Sequence, residues 1–245
     1  MEETKNCKIL IWVAVILGVS LLLSFIIGSI TAYKIKDLSN TLAVIGSAKK
    51  QVTSDSVKWS SSFSRTFSIN DLKSGYALMD QDKKRVVEFF KGQVIEEKDL
   101  DISPVFIEQQ YYQPGTPQEQ REYSLRQTVI VQSTDLDKMT ALAKNTDKLI
   151  NEGVIFSPQP LEYYYSKLAD LRVTLLGDAV KDAQARAAQI AQSSGKRVGS
   201  IKSASAGIVQ VMPVNSVEIS DYGNYDTSTI EKEVMVTVRA NFVLK

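Results

Sequence analysis

The run ILIWVAVILGVSLLLSFIIGSITAY at positions 9–33 carries no charge and is bounded by Lys8 and Lys34. As a helix it would extend about 37 Å at 1.5 Å per residue, enough to cross a hydrocarbon core of about 30 Å with some tilt. Trp12 and Tyr33 lie near its two ends, where amphipathic rings favour the membrane–water interface, and Ile9, Leu22 and Phe25 belong to its apolar body. The run is too long for a signal-peptide core, and GSITAY offers no clear small-x-small cleavage site. An uncleaved signal-anchor is therefore predicted rather than a cleaved leader. The expected layout is a tail at 1–8, a membrane helix at 9–33, a linker at 34–40 and a folded region at 41–245, with the lipid bilayer as the first partner. Lys5 and Lys8 balance Lys34 and Lys36 across the run, so charge does not set its orientation. A short tail ahead of a long C-terminal region is the layout of an exported domain with a cytoplasmic N-terminus.

What the rest of the chain lacks narrows its chemistry. There is no histidine, and the one cysteine, Cys7, precedes the apolar run. Nucleophilic triads built on imidazole are therefore excluded, and so is a disulfide scaffold within one chain. Zinc, copper and non-haem iron sites lean on imidazole or thiolate, which leaves only an all-oxygen site for a hard cation. The formal net charge of +1 supplies no general attraction to nucleic acid. The expectation is a non-enzymatic protein with no cofactor and no nucleic-acid partner; an oxygen-ligand metal-dependent hydrolase is the remaining enzymatic alternative.

Beyond residue 40, strand-like and helix-like patterns alternate. In DSVKWSSSFSRTF, Val57, Trp59, Phe63 and Phe67 share one face and Ser56, Lys58, Ser60, Ser62, Ser64 and Thr66 the other, the period of a strand with one wet side. Val234, Val236, Val238, Ala240, Phe242 and Leu244 repeat the pattern near the end of the chain. VFIEQQYY and EYSLRQTVIVQ read as a hairpin joined through QPGTPQ. Ser68 with Asp71 resembles a capping box ahead of a helix that packs with Leu72, Tyr76, Met79, Val86, Val87 and Phe90 and ends near Gly92. A second helix is predicted from Thr134 to Gly153, and a third from about Lys167 to Ser194. The order reads hairpin–helix, hairpin–helix, then strand–helix–strand–strand, or ββα-ββα-βαββ. It predicts an α+β fold, antiparallel sheets with helices on one face, and leaves open whether there is one sheet or two.

Residues 178–199, DAVKDAQARAAQIAQSSGKRVG, echo the Gly-Lys of a phosphate loop in SGKR. The order is reversed, however: a helix precedes the glycine and a strand follows, so a phosphate would meet carbonyls rather than N–H groups. Gly195 reads instead as a helix stop. The helix carries a stripe of Ala169, Val173, Leu176, Val180, Ala183, Ala187 and Ile190 at alternating spacings of four and three, a predicted packing seam of a scaffold helix. Asp182 and Arg186 read as an i,i+4 pair on the solvated side. Tyr111, Tyr112, Tyr163, Tyr164 and Tyr165 are the candidates for a binding or assembly surface, with strand residues as the plainer reading. Asp221, Asn224 and Asp226 lie in a polar loop without EF-hand spacing. Ser157-Pro-Gln-Pro reads as edge-strand punctuation.

Three stretches together resemble the SIMPL-domain family, which includes the bacterial 26 kDa periplasmic immunogenic proteins. They are AVIGSAKKQVTSDSVKW, AVKDAQARAAQIAQSSGKRVGSI and STIEKEVMVTVRANFVLK, spread over about residues 41–245. The resemblance implies an exported α+β domain in the bacterial cell envelope, commonly self-associating, with no established enzymatic activity and with reported links to oxidative or envelope stress. It supplies no catalytic residues. Many relatives carry a cleavable signal peptide where this chain keeps an apparent anchor. The expected protein is thus tethered to the bacterial inner membrane with its C-terminal domain periplasmic. That domain is expected to be a homo-oligomeric scaffold or binding module; the alternative is a stress factor that binds peptide or glycan.

Overall fold

The structure is a computed structural model and describes residues 3–38, 40–93, 95–110, 121–216, 220 and 222–245. Helix α1 (Glu3–Leu38) contains an apolar window, Val15–Ala32, of mean hydropathy 2.3 with none of it buried. It is long and apolar enough to cross a membrane. Trp12, Leu22 and Phe25 are exposed on it, whereas the side chains of Ile9 and Tyr33 lie outside the described residues. The hydroxyls of Ser20, Ser24 and Thr31 donate to the carbonyls of Leu17, Ser20 and Ile27, so these polar groups are satisfied inside the helix.

The chain divides into two compact units. The larger comprises Lys49–Leu175 and Ile208–Met235. Its centre is β2 (Ser56–Ser68), flanked by β5 (Glu122–Ser133) and β6 (Ile155–Tyr164), with β3 (Leu100–Ile102) and β4 (Phe106–Gln109) also on β5; all these pairings are antiparallel. Trp59 and Phe63 of β2, fully buried, form the floor of the core. Met79, Val86, Phe89 and Phe90 of α2 (Leu72–Lys91) cover it, together with Met139 and Leu142 of α3 (Leu136–Lys144) and Leu149 of α4 (Asp147–Asn151). Trp59 meets Phe90 and Phe156 edge-on at 5.8 and 6.1 Å, and its indole N–H donates to the Gln159 carbonyl at 3.0 Å. The register of β6 shifts between Pro158 and Leu161, on an edge strand where Pro158 and Pro160 withhold no needed N–H.

Several boundaries differ from the sequence reading. The first two strands, β1 (Thr41–Thr53) and β2, do not form a hairpin: β1 pairs with β9 (Glu231–Leu244), because both edges of β2 are taken by β5 and β6. The link between them is held by the Ser54 and Asp55 N–H groups, which donate to Ile230 and Tyr164, and by the Asp55 carboxylate, which accepts from the Ser166 N–H and hydroxyl at 2.7 Å. The helix predicted over 134–153 breaks into α3 and α4. Its cap is Asp135, whose carboxylate accepts from Lys138 N–H, rather than Thr134. Ser68 caps a single 3₁₀ turn, accepting from Asn70 N–H, before α2 begins. Tyr76 is exposed, and Asp82 takes a place in the buried face of α2. The hairpin of β4 and β5 forms as expected; its connecting residues 111–120 lie outside the described residues.

The smaller unit comprises Met1–Ala48, Leu176–Gly207 and Val236–Lys245. Here β9 lies between β1 and β7 (Val198–Ala206), while β8 (Gln210–Pro213) pairs with the part of β9 that belongs to the larger unit. Helix α5 (Leu168–Ser193) supplies Ala179, Ala183 and Ala187 to a core with Val44, Val238, Ala240 and Phe242. Gly46 of β1 is seated against the helix main chain: a Cβ there would lie 2.2 Å from the Ala179 carbonyl oxygen and 2.4 Å from the Ala183 nitrogen. The buried row of α5 is therefore Leu171, Leu175, Ala179, Ala183, Ala187 and Ala191, a spacing of four throughout. This corrects the predicted seam. Ala183 and Ala187 are buried as expected and Val180 partly so, but Val173 is 73% exposed, Ile190 49% and Leu176 36%. So close a contact admits alanines at 179 and 183; Leu171 and Leu175, buried in the same row, belong to the larger unit. The helix ends as read, in a Schellman arrangement: Gly195, at φ 70°, donates to Gln192 and Lys196 N–H donates to Ala191.

A methyl at position 46 would meet main chain rather than a movable side-chain tip. Gly46→Ala is expected to destabilise the fold by about 2–3 kcal/mol, and Ala183→Leu by about 1–3 kcal/mol, through overpacking. Chemical unfolding of the full chain in detergent measures both; midpoints equal to wild type would remove the close contact from this account.

Candidate functional site

Three charged residues occupy positions in phase with the core. Arg65 continues the inward series Val57, Trp59, Ser61, Phe63 of β2, Asp82 lies between Met79 and Val86 on α2, and Lys232 precedes Val234 and Val236 on β9. Each is paired. The Asp82 carboxylate accepts from Arg65 at 2.5 and 2.8 Å and from Arg85 at 3.0 Å, and Arg65 also donates to the Gly153 carbonyl at 2.9 Å. This joins the end of β2, α2 and the turn before β6. The Asp82 hydrogen bonds hold the Arg65 guanidinium above its ordinary pKa. Removing Arg65 would leave the buried Asp82 carboxylate with Arg85 as its remaining cation.

The loop before β9 is organised by Asp226. Its carboxylate accepts from the N–H and hydroxyl of Ser228 at 2.9 and 2.6 Å, from the N–H and hydroxyl of Thr229, and from the Lys232 ammonium at 3.2 Å. Lys232, with no exposed side-chain surface, also donates to the Asp226 carbonyl at 2.7 Å. Burial pushes the Asp226 carboxyl up, but the hydrogen bonds from Ser228, Thr229 and Lys232 outweigh it and hold the group well below the carboxylate range. Burial pushes the Lys232 ammonium down, against the pull of Asp226. The Asp226 oxygens that a calcium reading of this loop would need are thus already engaged by protein donors. Asn224 donates its N–H to Gln210 Oε1, and Asp221 lies outside the described residues. Among the described residues no group of three or more His, Cys, Asp or Glu side chains is gathered for a metal ion.

The tyrosine candidates separate. Tyr163 faces the core, its hydroxyl 3.1 Å from Thr140 Oγ1 and its N–H donating to the Thr227 carbonyl, so it does not belong to an open surface. Tyr164 and Tyr165 are half-buried, Tyr225 is more exposed, and Tyr164 lies 6.1 Å from Tyr225, ring centre to ring centre. The Tyr164 hydroxyl donates to Glu162 at 2.8 Å, and Glu162 in turn pairs with Lys58 at 3.4 Å. Burial and then the Glu162 carboxylate push the Tyr164 phenol up to about 12, which keeps it a hydrogen-bond donor at neutral pH. Tyr111 and Tyr112 lie outside the described residues.

Asp182 of α5 also departs from its predicted wet position. It accepts from the Ser47 N–H of β1 at 2.8 Å while pairing with Arg186 at 2.8 Å, and the Ser47 bond, then Arg186, hold its carboxyl below the usual range. Sequence reasoning passed over Lys232, Asp82 and Arg65 although the signal was present: each is a charge standing where the alternation or helical period calls for an apolar residue.

Described in this way, the molecule is an α+β protein of two antiparallel sheets behind one long apolar helix, with its buried charges engaged in holding the fold. The chain belongs to the SIMPL family, described as proteins of unknown function (DUF541), which it matches over residues 42–243. No curated protein matches the chain.

Because the folded carboxyl of Asp226 is lowered, its ionised form stabilises the fold fully above the ordinary carboxylate pKa, and that contribution is lost as pH falls through the folded value. Asp226→Asn is therefore expected to lower the melting temperature at neutral pH, with the gap to wild type narrowing as pH falls below about 4. Melting curves of both proteins across that range test the sign.

Proposed function

We propose that this chain is a single-pass, membrane-anchored, non-enzymatic protein of the bacterial cell envelope, whose SIMPL domain acts as a self-assembling scaffold or binding module. The observation that carries the reading is the apolar window of α1, of which nothing is buried although it leads within a few residues into the tightly hydrogen-bonded strand β1. So much contiguous apolar surface is stable only against lipid or another apolar partner. In this reading the N-terminus is cytoplasmic and the C-terminal domain periplasmic. Self-association is supported by β7, which ends its sheet, is exposed from Ser200 to Ala206 and carries one charge, Lys202. An edge strand of that kind presents backbone groups that a second copy can pair with. Light scattering and electron microscopy of the full-length chain in detergent are expected to show a defined homo-oligomer. A strict monomer at every concentration would remove assembly from the proposal.

A second reading, a peptide- or glycan-binding factor of the envelope stress response, is favoured by the paired rings of Tyr164 and Tyr225 beside Lys58 and Glu162, an arrangement of apolar faces and polar tips. Replacing Tyr164 and Tyr165 by Ala is expected to abolish a stress phenotype while leaving the oligomer intact. Survival under oxidative and envelope stress equal to wild type rejects this reading.

A further inference from the structure

At the point where α1 gives way to β1, four parts of the smaller unit converge. The Asn40 carbonyl accepts from Leu244 N–H at 2.9 Å, and the Asn40 side chain accepts from the Lys196 ammonium at 3.3 Å. Arg197 and Lys245 exchange both main-chain hydrogen bonds at 2.8 Å. The Lys245 side chain crosses Gly199, where a Cβ would stand 3.2 Å from its Cε. Lys196, Arg197 and Lys245 are all exposed, and among the described residues none of them is in an ion pair.

Covalent geometry sets how far this cluster stands from the apolar window. From Ala32 to Leu38 the helix rises about 9 Å at 1.5 Å per residue. Asn40 follows two residues later, no more than about 7 Å further on. A headgroup layer extends about 5–7 Å beyond the hydrocarbon on each side. Asn40, to which the Lys196 ammonium is bonded, thus stands no more than about 9–11 Å beyond the headgroups, close to one Debye length, whenever α1 spans a bilayer.

We propose that this end of the smaller unit, formed by Lys196, Arg197 and Lys245, is a binding surface for the headgroups of anionic phospholipids. The inference rests on the membrane-anchor reading of α1. A closed phosphate pocket is not what the chain builds here. The C-terminus of α5 points carbonyls at the turn, and those of Ala191 and Gln192 already accept from Ser194, Gly195 and Lys196. What remains is a spread of ammonium and guanidinium groups on a turn and a strand end, matched to a plane of phosphates rather than to one enclosed ion.

The test uses the full chain in mixed micelles of phosphatidylglycerol and phosphatidylcholine, with native mass spectrometry counting retained lipids. Wild type is expected to retain phosphatidylglycerol preferentially. Lys196→Gln, Arg197→Gln and Lys245→Gln together should lower that preference about five- to tenfold, at about twofold per cation one Debye length from the surface. Their main-chain bonds are untouched, so the melting temperature should hold; Lys196→Gln alone, with about a twofold loss, serves if the triple variant misfolds. Lys50→Gln, ten residues and about 33 Å further along β1, should change nothing. Flotation with phosphatidylcholine vesicles after an alkaline wash tests the anchor separately. A chain released by that wash overturns both the anchor and this surface. A chain that stays anchored, with no preference for phosphatidylglycerol or with the same preference in the triple variant, overturns this surface alone. Displacement of phosphatidylglycerol by inorganic phosphate overturns it in favour of a free-ion site.

Discussion

The approach of β1 to α5 at Gly46 governs the smaller unit. With no side chain between them, the strand and the Ala179–Ala183 segment of the helix come within main-chain contact, and α5 must present its smallest residues to the sheet. From this follow the alanines at 179 and 183 and the position of Asp182, near enough to β1 to accept the Ser47 N–H. The same strand, β1, follows α1 in the chain.

In the larger unit the corresponding role falls to an aromatic core and two charge pairs. Trp59, Phe90 and Phe156 meet there in the edge-on geometry that ring quadrupoles favour. Arg65 with Asp82, and Lys232 with Asp226, then fix which strand end and which loop meet, because a buried charge tolerates only the arrangement that pairs it. These carboxylates look, by residue type alone, like candidates for chemistry or metal binding. Their hydrogen-bond partners give them structural work.

Much of this was legible in the residue order. The apolar helix, the two-residue period of β2 and β9, the hairpin of β4 and β5, the limits of α5 and the Gly195 stop all follow from local rules: an uninterrupted apolar run, alternation, a helical period, a residue free to adopt positive φ. The failures share a cause. Pairing β1 with β2 was the local expectation, and it was overridden because β5 and β6, distant in the sequence, occupy both edges of β2. The seam of α5 was read as a regular three-four stripe, since nothing near residue 180 in the sequence announces that Gly46 lies against it. Tyr163 differs from Tyr164 only in parity, and parity has meaning only once the buried side of β6 is known.

The sequence by itself determined that the chain combines one lipid-compatible helix with an α+β domain that has neither imidazole nor a thiol after residue 7, because composition and period act locally and need no partner. Only the tertiary structure decided which alanines are buried, which charges are satisfied inside, and that Lys196, Arg197 and Lys245 gather beside the foot of α1. Those facts depend on residues up to about two hundred positions apart being brought within a few ångströms, and hydrogen bonds and packing act over that distance and no further.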